Sequence, residues 1–289
     1  MHMKDVMNKK IVITTVLIIS LKLNLPAFAS STQTRIDIDI ASQNPIVIQV
    51  SVALADNKNQ WIAPVPKEIG NGQDARTNLY WGALYGLKTY LLNKVGWEKI
   101  ASVQVNDERI LERLILKKDF LRKGQSVPVY LVADAWDGKY IGDTIKQFMR
   151  YNAGNDIFSV KTDSKNILAG GKAHLIVYIG HNALMDYGGM KSFLFSEQEV
   201  AKDNPDNDSI VLACKSQPYF SSRLIKIGAH PLVLTTGLMA PEAYTLHAAI
   251  EQWIAGADDI QVRKAAASSY SKYQNTGVNA AERLFGVNQ

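Results

Sequence analysis

Short, almost uninterrupted apolar runs recur along this chain, and they constrain its fold more than any other feature. Residues 45–55, 127–133, 173–180, 209–213 and 231–235 are rich in Val, Ile, Leu and Tyr and read as strands buried on both faces. Helix-periodic segments over 77–93, 141–151, 219–227 and 241–254 lie between and after them, and residues 259–287 read as one or two amphipathic helices broken near Thr276-Gly277. Residues 99–105 and 108–116 read as two strands joined at Asn106-Asp107, with a helix as the alternative for the second. This alternation predicts an α/β fold, doubly wound, with a mainly parallel sheet and helices on both faces. Ligands of such sheets gather beyond the carboxyl ends of the strands. Chemistry is therefore expected in the residues that follow each strand.

The amino terminus reads as an export signal. Lys4, Lys9 and Lys10 precede an apolar stretch over 11–21, and Ala27-Phe28-Ala29 has the small–x–small pattern of a cleavage site. Lys22 and Pro26 cut that stretch short of the ~20 apolar residues that span a bilayer, so no stable membrane insertion is expected after removal of the signal. The expected organisation is a signal peptide over 1–29, a flexible polar stretch over 30–44 and a single domain over 45–289 with a helical extension at its end. The expected location is the periplasm or the exterior. The formal charge of +5 owes much to the signal, which holds four of the 32 basic residues and one of the 27 acidic ones. A near-neutral remainder lacks the basic footprint of a nucleic-acid binder.

Cys214 is the one cysteine of the chain, so no internal disulfide can form. It directly follows the apolar run 209–213, just as His181 follows the run 173–180. Two neighbouring parallel strands ending on a thiol and an imidazole would bring both groups to one edge of the sheet. There His181 would take the thiol proton and return it to a leaving group, with Cys214 as nucleophile. The backbone amides of Cys214 and near Asn182 are the natural oxyanion donors. His174 and His230 sit at the opening ends of their strands, and His247 lies within a helix pattern. The alternative for Cys214 is a small buried apolar residue.

Residues 176–182 (Ile-Val-Tyr-Ile-Gly-His-Asn) and 210–216 (Ile-Val-Leu-Ala-Cys-Lys-Ser) resemble the two strands that end in the catalytic His and Cys of the caspase-fold cysteine peptidases, among them gingipains, clostripain and CHAT domains. Residues 228–237 resemble the following strand, which lines the specificity pocket in that family. The resemblance covers residues 127–256 and implies a caspase-like α/β fold and an exported thiol protease acting on a peptide or protein substrate without a cofactor. The family has Gly directly after the His; this chain has Asn182, and Lys215 follows its Cys. A non-catalytic periplasmic binding or interaction protein on the same fold is the alternative these two departures motivate.

Asp56, Asp134 and Asp137 follow strands too. They could bind a substrate side chain, hold a cation, or cap loops and helices. Thr235, Thr236 and Gly237 follow the last strand and are expected, with the Asp56 loop, to shape the substrate cleft. No spacing of His and Cys suggests a zinc site. Trp61, Tyr80, Trp81 and Tyr85 could line a groove near the first loop or simply be core.

Overall fold

The computed structural model describes residues 31–162, 165–186 and 206–287. The export signal expected over 1–29 lies outside them. Strands β1 (Ile46–Ala53), β2 (Glu98–Val103), β3 (Ile110–Arg122), β4 (Gln125–Trp136), β7 (Leu175–Ile179), β8 (Asp208–Leu212) and β9 (His230–Val233) form one sheet in the order β2-β3-β4-β1-β7-β8-β9. The pairs β4/β1, β1/β7, β7/β8 and β8/β9 are parallel, and β2/β3 and β3/β4 are antiparallel. The expected mainly parallel α/β architecture is what the chain forms. A separate hairpin of β5 (Phe158–Lys161) and β6 (Asn166–Ala169) has no counterpart in the sequence reading.

Alternation along each strand feeds two cores. Ile46, Ile48, Val50 and Val52 of β1 face one side, where α2 (Leu87–Lys94), α5 (Ala243–Ala255), α6 (Asp259–Gln274) and α7 (Val278–Leu284) pack. Val47, Ile176, Tyr178 and Val211 face the other, against Phe148 of α3 (Ile141–Asn152) and Phe220 of α4 (Ser216–Lys226). Helices on both faces explain why β1, β7 and β8 are buried at every position and why, Gln49, Ser51, Asp208 and Ser209 apart, their sequences are apolar.

Two expectations are corrected. The stretch expected to be flexible contains α1 (Ser31–Ala41), a helix held by long-range polar ties. Arg122 donates to Gln33 and Asp37 at 2.8 Å each, and Asp39 meets His174 at 2.9 Å. The helix expected over 77–93 shrinks to α2. Asn78 is fully buried and holds the chain before α2 in turns: its amide accepts from the Ala55 N–H at 3.0 Å and donates to the Ala55 and Asn71 carbonyls at 2.8 and 3.0 Å. An Asn side chain that pairs like backbone competes with helix formation. Tyr80 and Trp81 are nevertheless buried core, as their spacing allowed.

Candidate active site

The site is built by the pairing of β7 with β8. Their register sets Tyr178 opposite Val211 and Ile179 opposite Leu212, and the Gly180 N–H donates to the Leu212 carbonyl at 3.2 Å. His181 and Cys214 each come two residues after one of the last paired positions, Ile179 and Leu212. Gly180 lets the strand pass closely by β1, since a Cβ there would stand 3.0 Å from both the Ala53 carbonyl oxygen and the Tyr178 hydroxyl. That hydroxyl donates to the His181 carbonyl at 2.7 Å and fixes the start of the loop.

The His181 ring is oriented from within its own loop. Its Nε2 lies 2.7 Å from Asp186 Oδ2, and both side chains are about nine-tenths buried. A carboxylate at that distance favours a proton on Nε2 and leaves Nδ1 as the basic nitrogen. Asp186 had no role in the sequence reading; the signal for it was a carboxylate five residues beyond a histidine in one post-strand loop.

Cys214 is half-buried. Its sulfur receives the Met239 N–H and donates to the Met239 carbonyl, both at 3.4 Å. Tyr80 and Tyr270 are its neighbours: burial first, then proximity to Cys214 and Glu242, pushes the Tyr80 phenol up. Burial also pushes Glu242 up, against hydrogen bonds from Tyr244 and Gln274. Among the described residues no hydrogen bond joins the thiol to the imidazole.

After Cys214 the chain turns sharply, with Lys215 in the left-handed region at φ 46°. The next amides are all engaged: Lys215 with the Gly237 carbonyl (2.7 Å), Ser216 with Thr235 Oγ1 (3.2 Å) and Gln217 with the Thr235 carbonyl (2.9 Å). Among the described residues the amide of Cys214 has no such acceptor. Asn182 is fully buried, and its side chain donates to the Cys214 carbonyl at 2.8 Å. It ties the two post-strand loops together, a role that glycine could not fill.

No family model, curated protein or solved structure matches the chain. The site is therefore read from its geometry.

The other expected site residues lie as follows. Asp56 is 1% exposed, and its oxygens accept from the Lys58 and Asn59 amides and from the Asn59 and Gln73 side chains. Gln73 also donates to Asp137 at 2.6 Å, so Asp56 and Asp137 meet through one amide as loop caps. Asp134 is fully buried inside β4, bidentate to Arg113 at 2.6 and 2.8 Å and bonded to Gln49. Burial still raises its pKa. Thr235 is fully buried and braces the turn after Cys214. Thr236 is bonded to the Arg283 and Leu284 carbonyls at the end of α7. Gly237 supplies the carbonyl for Lys215. Among the described residues no group of three His, Cys, Asp or Glu could hold a metal ion, and no helix is long and apolar enough to cross a membrane.

A cavity of about 310 Å³ opens at the same edge of the sheet. His181 and Asp186 of the loop after β7, Trp61 of the loop after β1, and Tyr140 and Ile141 at the start of α3 are among the residues that line it. Of the four aromatics weighed from sequence, Trp61 is the one that lines it; its indole is 77% exposed.

Proposed function

We propose that the chain is an exported cysteine hydrolase, a peptidase of caspase-like layout, with His181 and Cys214 as its catalytic dyad. One observation carries the reading: the parallel register of β7 and β8 sets the two residues at equal steps beyond paired positions on adjacent strands. The basic start and cleavage pattern of residues 1–29 support export.

The chemistry follows from the atoms. His181 Nδ1 takes the proton of the Cys214 thiol, while Asp186 stabilises the imidazolium through Nε2. The thiolate adds to the carbonyl carbon of the scissile peptide bond. The Cys214 N–H, with the backbone near Asn182, receives the oxyanion. As the C–N bond breaks, the imidazolium returns its proton to the leaving amine. Water then hydrolyses the thioester, giving a carboxylic acid and restoring the thiol.

The bonds from sulfur to Met239 favour a second reading, a binding protein whose thiol is a structural contact. A thiol-directed peptidyl probe separates the two. Wild-type protein is expected to be labelled and Cys214→Ala to stay unlabelled, with His181→Ala labelled far more slowly at neutral pH. Equal labelling of wild type and His181→Ala, with no peptide cleaved from a library, would leave the binding reading standing.

A further inference from the structure

We infer that the phenol of Tyr80 is a second donor to the oxyanion that forms when the Cys214 thiolate adds to a peptide carbonyl; this deepens the hydrolase reading and rests on it. The backbone brings Tyr80 to the carboxyl edge of the sheet. Asn78 pins the turn that carries it, accepting from the Ala55 N–H at 3.0 Å and from the Tyr80 N–H at 3.2 Å. Ala55 lies two residues past the end of β1, and β1 pairs with β7, whose other neighbour is β8. Tyr80 and Cys214 also share one side of the sheet. Tyr80 packs in the core that takes Ile210 and Leu212 of β8 together with Met239, and the Cys214 sulfur bonds to the backbone of Met239.

The hydroxyl of Tyr80 is unspent. The residue is only 7% exposed, yet among the described residues its phenol oxygen takes part in no hydrogen bond. The other tyrosines of that core use theirs. Tyr270 accepts from the Ala240 N–H at 3.2 Å, Tyr244 donates to Glu242 at 2.7 Å, and Tyr90 shares a bond with Tyr273 at 3.1 Å. A buried phenol ordinarily finds a partner. Burial, then proximity to Cys214 and Glu242, pushes the Tyr80 phenol up, so it keeps its proton at neutral pH and can only donate. Burial and then Tyr80 likewise push up the phenol of Tyr178, whose hydroxyl holds the His181 carbonyl. Tyr80 is thus a neighbour of the thiol and of the residue that steadies the imidazole loop. A tetrahedral adduct on Cys214 would create the missing acceptor, and a donor already in place costs no reorganisation when the charge appears. The hydroxyl shares its proton with that oxygen and does not transfer it. The Cys214 N–H, which has no acceptor among the described residues, is the companion donor.

The test compares a reaction that makes an oxyanion with one that does not. Tyr80→Phe keeps the ring in the core and removes the hydroxyl. Cleavage of a capped peptide library is measured for wild type, Tyr80→Phe and Cys214→Ala. Alkylation of the thiol by iodoacetamide, which passes through no oxyanion, is followed across pH for the first two. Tyr80→Phe is expected to lower kcat about 10²-fold, at the low end of the ~10²–10³ lost with one oxyanion donor, while KM and the alkylation profile stay as in wild type. An unchanged kcat overturns the inference. So does an alkylation profile shifted in pH, which would assign the hydroxyl to the sulfur, or alkylation slowed as much as cleavage, which would make Tyr80 a structural support. Wild-type cleavage that Tyr80→Phe retains in full removes the donor and leaves the hydrolase. A library that wild type leaves as uncut as Cys214→Ala does removes both.

Discussion

His174 and His181 stand at opposite ends of β7, each beside an aspartate, yet the two environments differ in kind. At the amino end, both nitrogens of His174 are engaged. Nδ1 accepts from the Val47 N–H at 3.2 Å, and Nε2 meets Asp39 at 2.9 Å. Burial lowers its pKa, while the hydrogen bond from His174 leads the causes that hold Asp39 at about 2. His230 at the start of β9 is similarly clamped, by Asp208 at 2.7 Å and Asp259 at 3.0 Å. At the carboxyl end, His181 has one nitrogen tied to an aspartate of its own loop, and its ring lines a cavity. A ring bonded at both nitrogens holds elements together; a ring bonded at one can exchange a proton. The carboxylate beside each ring does not tell them apart. The second nitrogen does.

The largest expected effect of the proposed reading breaks the carboxyl end of β7 alone. His181→Ala should lower kcat for peptide hydrolysis about 10³-fold, within the ~10²–10⁴ range of general acid–base catalysis. Its thermal midpoint should move little, because the ring's hydrogen bond to Asp186 is local to one loop. Asp186→Asn should cost less, roughly tenfold in kcat with KM unchanged, since it alters how the ring is held and not whether it is there. Steady-state kinetics beside a thermal melt checks both. A melt that collapses with His181→Ala would show that this end, too, is structural.

His174→Ala should reverse that pattern. It strips a fully buried backbone N–H of its acceptor and leaves Asp39 without its ring partner, a loss of about 1–3 kcal/mol in denaturant unfolding. The kcat of the protein that remains folded should stay near wild type. A variant as stable as wild type would mean that water or a neighbour repairs the gap.

His230 sharpens the comparison through pH. Hydrogen bonds to Asp208 and then Asp259 raise its pKa from 6.5 to about 10. The folded form therefore holds the proton more tightly than the unfolded chain. The resulting stabilisation is complete below about pH 6.5, falls through the interval above it, and is gone once the pH passes about 10. The wild-type melting temperature should exceed that of His230→Gln by most at pH 6 and converge with it near pH 10. A gap independent of pH would assign the role of His230 to packing.

How much of this was legible in the sequence depended on how far each residue's partner lay along the chain. β7 and β8 could be read because burial on both faces leaves an apolar run that needs no partner to be seen. The edge that gathers His181 and Cys214 followed from strand direction alone. α1 was hidden because what holds it is Arg122, some 85 residues away, rather than an apolar stripe of its own. The turns before α2 were hidden because Leu79, Tyr80, Ala83 and Leu84 keep helical spacing while one buried side chain, Asn78, takes over the backbone pairing. Asp56 and Asp134 follow or end apolar runs, as site carboxylates do. Only the structure reveals that their oxygens are spent on Asn59, Gln73 and Arg113. Thr235 looked like a cleft residue and is a brace, because the helix after Cys214 draws its first amides back onto the neighbouring strand.

The smallest expected effect tests how firmly the reactive end must be held. The Tyr178 ring is fully buried, stacked on Phe220 with centroids 6.1 Å apart, and its hydroxyl reaches the His181 carbonyl. Tyr178→Phe keeps the ring and removes that one bond, so stability should fall by only about 1 kcal/mol. Tyr178 touches the backbone of His181, so under the proposed hydrolase reading it is a positioning residue. If the loop depends on this bond, kcat should drop a few-fold while KM for the same peptide stays put. Asn182 offers the control: Asn182→Ala removes the other tie of this loop, to the Cys214 carbonyl. Combining the two substitutions should then cost more in kcat than the product of the separate losses, because each bond limits the freedom the other would leave. A product that is strictly multiplicative would mean that the two loops are placed independently, and that strand register alone sets imidazole against thiol.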